Sequence, residues 1–137
     1  MYEVHTTITL RNGKDVMKAE MGLIKEAEVR QVTLDAVVDT GAWCLVINEE
    51  TRAKLGVEVT GTDTVNLADG GRTECSTVGL IETWWKDRHY THDALMLPDS
   101  KEVLLGAIPL EAMDLIVDPR QGTLIGAHGD QIVHRLY

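Results

Sequence analysis

The chain has 137 residues, 44% hydrophobic and 26% charged, the profile of one globular domain with enough apolar side chain for an ordinary core. A formal net charge of -9 and a pI near 4.9 argue against nucleic acid as a partner, because phosphate contacts need clustered Lys and Arg. No apolar run reaches membrane-spanning length and the opening Met1-Tyr2-Glu3-Val4-His5 is no signal peptide, so no membrane partner and a cytoplasmic setting are expected.

Cys44 and Cys75 are the two cysteines, and they lack metal-site spacing. Phenylalanine is absent, so the core must be built from Val, Leu and Ile, which favours strands. Val4 to Leu10 alternates as a strand does, and Asn12-Gly13 is a hairpin-turn signal. Asp15 to Gly22 fits either a strand or a helical turn, and is read as strand. Val29 to Val38 sets Val32, Leu34 and Ala36 on one face, then becomes apolar on both as it nears Asp39.

Leu45-Val46-Ile47 reads as a short buried strand. Asn48 is read as the N-cap of a brief helix that carries Glu49 and Glu50 in its first turn and stops at Gly56. Val65 to Ala68 and Arg72 to Ile81 flank Asp69-Gly70-Gly71 and form a hairpin. Trp84-Trp85, Lys86-Asp87 and Arg88 to Leu97 form another. Val103 to Leu105 is a buried strand, and Pro109 can open a helix at its first position. Leu115 to Val117 and Thr123 to Ile125 are closing strands. The sum is an all-β chain, a small closed barrel with one or two short helices, in a single domain over residues 1–137.

One stretch stands apart: Asp35-Ala36-Val37-Val38-Asp39-Thr40-Gly41-Ala42. It delivers a carboxylate from a dry strand into a tight turn, where ionising it is costly. Such a placement points to chemistry. A second stretch, Val103-Leu104-Leu105-Gly106-Ala107-Ile108-Pro109-Leu110, precedes Leu115-Ile116-Val117-Asp118. Together, from about Val29 to Ile125, these segments resemble the retropepsin-like aspartic proteases. The family pattern is apolar-apolar-Asp-[Thr/Ser]-Gly-Ala, a flap hairpin, then apolar-apolar-Gly leading into a short helix.

The resemblance implies a retropepsin-like acid-protease barrel and peptide hydrolysis by two carboxylates that share a proton, with a water nucleophile and neither metal nor organic cofactor. One chain supplies only one suitable acid. Asp35 sits four strand residues from Asp39, roughly 13 Å away; Asp69 lies in an exposed turn, and Asp118 precedes a proline. The dyad must then be Asp39 from each of two subunits, in a homodimer acting on a peptide or protein substrate.

By the same resemblance, Asp39, Thr40 and Gly41 are catalytic, with Thr40 supporting the dyad and Gly41 letting backbone approach substrate. Ala42, Trp43, Ala68, Asp69, Gly70 and Gly71 contact substrate, the last four at the tip of a flap spanning Leu67 to Thr73. Ala42 stands where two-lobed relatives carry Ser, whose hydroxyl favours an ionised carboxylate, so a less acidic pH optimum is implied. Trp43 is either a subsite wall or a packing residue, and Cys44 is read as a small buried hydrophobe. Gly106 packs close to the active turn.

Trp84 and Trp85 point to opposite strand faces, so at least one is exposed. His89 and His92 also fall on opposite faces, which disfavours a metal site. The tail His128 to Tyr137 either pairs with a partner subunit or frays. The alternative function is a retropepsin-fold dimer with little or no proteolysis, used for binding or assembly.

Overall fold

The computed structural model describes residues 3–136 and is mostly β. Strand β1 (Val4–Asn12) pairs antiparallel with β2 (Gln31–Val38), Val4 opposite Val38 and Arg11 opposite Gln31. The alternation expected of β1 is realised: Ile8 and Leu10 are fully buried, while Thr7 and Thr9 face outward. Both strands carry β-branched residues, which suit a pleated, half-buried surface.

Between them the expectation of a hairpin and a further strand fails, because Gly13–Glu20 is a helix, α1. Asn12 closes β1 and caps α1, its side-chain oxygen accepting the Asp15 N–H at 3.0 Å. Its amide nitrogen donates to the Leu55 carbonyl at 2.9 Å, so the residue is fully committed and buried. Asp15 in turn accepts from the Arg30 guanidinium at 2.8 and 3.0 Å and from the Arg30 N–H at 3.1 Å. The guanidinium holds the Asp15 carboxyl below the usual carboxylate range.

After β2 come β3 (Val46–Ile47), α2 (Glu49–Leu55) and β4 (Glu58–Asn66). Asn48 caps α2 as expected, accepting the Thr51 N–H at 2.9 Å, and Gly56 ends the helix at φ 66°. Then follow β5 (Arg72–Trp85), β6 (Arg88–Met96), β7 (Leu104–Leu105), α3 (Ala107–Ala112), β8 (Leu115–Asp118) and β9 (Thr123–Gly126). Three α-helices thus stand among the described residues where one or two were expected. Helix α3 begins at Ala107 with Gly106 as its N-cap, so Pro109 is its third residue, not its first. The segments Arg72 to Ile81 and Trp84-Trp85 form one continuous strand, irregular only between Val78 and Ile81.

Six strands close into a ring in the order β1, β2, β7, β3, β6, β5, the last returning to β1 with Thr9 opposite Trp84 and Asn12 opposite Ile81. Ile8, Leu10, Ala36, Ile47, Val78 and Leu105 fill its interior. Burying such aliphatic side chains gives about 1.5–3 kcal/mol each for the larger ones, so this packing is the main stabilising term. Strand β4 lies outside the ring on β5 and is exposed along nearly its whole length. Arg72 to Cys75 pair with β4 alone, so the far part of this hairpin projects past the ring. Strands β8 and β9 form a separate two-stranded ribbon.

Trp85 is buried, with its indole N–H donating to the Thr6 hydroxyl, whereas Trp84 is half-exposed and stacked on His89. The tail is tied down. Buried Arg88 donates to the carbonyls of Met113, Asp114 and Gly129. The Asp114 carboxylate accepts the Val133 N–H at 2.9 Å and bonds His128 Nδ1 at 2.7 Å. Tyr137, the end of the predicted tail, lies outside the described residues. Among the described residues no helix is long and apolar enough to cross a membrane.

Candidate active site

Asp39 follows directly from the β2–β7 pairing. Val37 and Val38 lie opposite Leu104 and Leu105, and the Asp39 N–H continues the ladder to the Leu105 carbonyl at 3.0 Å. The chain then turns, with the Ala42 N–H donating to the Asp39 carbonyl at 3.1 Å. The carboxylate Oδ1 accepts the Gly41 N–H at 2.9 Å. That bond orients the acid, and a side chain at Gly41 would crowd it, with a Cβ only 3.2 Å from Oδ1. Asp39 is half-buried; Thr40 and Gly41 are exposed, and Ala42 is half-buried.

The corner between β7 and α3 holds this turn from behind. The Ala107 N–H donates to the Ala42 carbonyl at 2.9 Å and the Ile108 N–H to the Trp43 carbonyl at 3.0 Å. Gly106 sits so close that a Cβ would lie 2.4 Å from the Cys44 carbonyl oxygen and 2.6 Å from that of Ala42. Only glycine permits this approach. The two stretches singled out in the sequence, 66 residues apart at Thr40 and Gly106, are therefore one rigid unit.

Trp43, with its backbone fixed, leaves its side chain 59% exposed, so it is not a core residue. Cys44 is buried as expected, and burial raises its thiol pKa. It packs with Val46, Cys75 and Leu95, and with half-buried Val65 from β4. This cluster joins the Asp39 turn to the β4–β5 hairpin. At the hairpin tip the Leu67 N–H donates to the Gly71 carbonyl at 2.7 Å, and Asp69 Oδ1 accepts the Gly71 N–H at 2.8 Å. Ala68, Asp69, Gly70 and Gly71 are all exposed there.

The other aspartates weighed as partners are occupied elsewhere. Asp35 is exposed on the outer face of β2 and bonds His5 at 2.6 Å, which together with Glu3 raises the imidazole pKa. Asp118 Oδ1 accepts the Arg120 N–H at 2.9 Å beyond β8.

A family model described as aspartyl protease matches residues 25–107, more than half of the chain. The chain belongs to that retropepsin-like aspartyl protease family. No curated protein matches the chain. The region shared with the aspartyl proteases takes in β2, the Asp39 turn, the β4–β5 hairpin and Gly106, and stops as α3 begins. Helix α1, the β8–β9 ribbon and the anchored tail lie outside it.

Within this aspartyl protease framework, two features went unread in the sequence. The amides of Ala107 and Ile108 secure the Asp39 turn, and main-chain donors leave no mark in residue type. Arg88 locks the α3–β8 corner, and its place at the start of a strand gave no sign of a buried role.

Proposed function

We propose that the protein is an aspartic endopeptidase that works as a homodimer, with Asp39 of each subunit forming the catalytic pair. The observation that supports this best is the Asp39-Thr40-Gly41 turn, oriented by the Gly41 amide and clamped by the Gly106 corner. Each chain offers one such acid, so a pair requires a two-fold interface.

In this reading the two carboxylates share one proton, because like charges a few ångströms apart cannot both ionise; this is the known behaviour of aspartic protease dyads as a class. The ionised member takes a proton from a water whose oxygen attacks the peptide carbonyl carbon. The protonated member donates to the carbonyl oxygen. The tetrahedral species then collapses, the C–N bond breaks and the leaving nitrogen receives a proton. Neither metal nor organic cofactor enters this scheme. Thr40 supports the pair, Ala42 and Trp43 border the substrate groove, and the β4–β5 hairpin closes as a flap with Ala68 to Gly71 at its tip. The thiols of Cys44 and Cys75 are free and buried, which suits a reducing, cytoplasmic setting.

The test is cleavage of unfolded casein across a pH range, with Asp39→Asn as control and a statine peptide as a transition-state mimic. Cleavage that is lost in the variant by at least about a thousandfold and blocked by the statine supports the enzyme. Casein left intact at every pH by the dimeric protein favours a binding or assembly module.

A further inference from the structure

The β4–β5 hairpin changes its support at one level on both strands. On β4, Val59 and Gly61 oppose the consecutive residues Val78 and Thr77, so Thr60 is one residue too many for the ladder. Such a bulge interrupts pairing and bends the strand that carries it. On β5, Ser76 is the last residue toward the tip with a partner on β6, Met96, and it lies opposite Thr62. From Asp63 and Cys75 outward the two strands pair only with each other, as far as Asn66 and Arg72. The bulge and the point where β5 leaves the ring are thus neighbours in the register.

Below that level the root of β4 is pinned. The Asn12 amide donates to the Leu55 carbonyl at 2.9 Å, and the Arg52 guanidinium to the Val57 carbonyl at 3.1 Å. Arg30, held by Asp15, lays its guanidinium against Gly56 and leaves no room there for a Cβ. At the level itself, Thr60 is tied across to Thr77. Its hydroxyl donates to the Thr77 carbonyl at 3.3 Å and lies 3.1 Å from the Thr77 hydroxyl. Gly61 passes close to the same residue, since a Cβ would stand 3.3 Å from the Thr77 hydroxyl oxygen. A side chain at Gly61 would wedge against Thr77 and resist any change of angle between arm and root. Thr60 and Gly61 are both exposed, so no core packing restrains them.

We propose that Thr60 and Gly61 form the pivot on which the flap closes, and so are positioning residues for the cleavage proposed above. The proposal rests on that reading. The arm from Thr62 to Asn66 spans about 17 Å, so a tilt of roughly 5° at the pivot carries the tip about 1.5 Å. A misplacement of about 1 Å in groups that hold substrate can cost about a hundredfold in rate. The tie between Thr60 and Thr77 therefore sets where the tip comes to rest over the peptide.

The experiment combines amide hydrogen exchange with peptide-cleavage kinetics on the full chain. Thr60→Val removes the hydroxyl and keeps a β-branched side chain. Exchange from Thr62 to Cys75 should quicken about tenfold with β1 and β2 unchanged, and KM should rise about fivefold while kcat stays within about twofold. Thr60→Ser keeps the hydroxyl and should behave as wild type. Gly61→Val should act in the opposite sense, slowing exchange in the same segment and lowering kcat through slower product release. Should that variant misfold, Gly61→Ala, which adds a single carbon, should do the same to a smaller degree. Hairpin exchange that is unaltered, or that changes equally throughout the ring, overturns the pivot alone. So does altered exchange with both KM and kcat as in wild type. No cleavage of any peptide by the assembled dimer overturns the protease reading, and the positioning role with it.

Discussion

Asp39 is positioned by neighbours that contribute backbone, not side chains. The Gly41 amide, the Leu105 carbonyl and the Ala107 and Ile108 amides together fix the turn. The most sensitive position after the acid itself is accordingly Gly106. A methyl there meets two main-chain oxygens, which cannot swing aside as a flexible side chain would. Gly106→Ala should cost about 1–3 kcal/mol in urea unfolding and displace the Asp39 turn, with a steeper loss of kcat than of stability. A variant of wild-type stability and rate would show that the corner does not govern the turn. Trp43 belongs to the same scale: its ring is exposed because Cys44, not Trp43, turns toward the cluster with Cys75.

At the scale of elements, α1 is held by the Asn12 cap and the Asp15–Arg30 pair. Asp15 has its folded pKa below the unfolded value near 3.8, so its contribution is complete above that value. The contribution is lost as pH falls through the depressed folded pKa. A melting-temperature series from pH 6 downward should therefore show wild type losing stability below about pH 4, with Asp15→Asn starting lower and falling less steeply. Parallel curves would remove Asp15 from the acid limb.

This same element shows where the sequence could and could not be read. Asn12-Gly13 satisfies a hairpin turn and a helix start equally well, and what decides between them is a bond to Leu55 and an ion pair to Arg30, both remote in sequence. The Asn48 cap, the β4–β5 hairpin and the Gly41 bond to Asp39 depend on adjacent residues, and so were legible; the Leu105, Ala107 and Ile108 bonds that hold the Asp39 turn come from a remote segment, and were not. The inward face of β4 was not, since the bulge between Val59 and Gly61 shifts its alternation and only the register with β5 restores it. The β8–β9 strands were found, but the tail's anchorage to Asp114 needed the folded α3–β8 corner.

For the whole molecule, the proposed function makes activity a property of the pair. At equal total protein, a one-to-one mixture of wild type and Asp39→Asn allowed to exchange should show about a quarter of the wild-type activity, because only doubly wild-type dimers keep both acids. Half the activity would mean that each chain works alone. Dilution should lower specific activity in step with dissociation seen by sedimentation.

The ring itself carries a consequence for how the chain is made. Its seam joins β1 to the far end of β5, Thr9 to Trp84, across some 75 residues of intervening polypeptide. On the ribosome, β1 must wait, paired on one side at most, until the polypeptide through Trp84 has emerged. Contacts so distant along the chain make for slow acquisition of structure. A nascent chain halted before Trp84 would present β1 with an open margin of unpaired backbone groups.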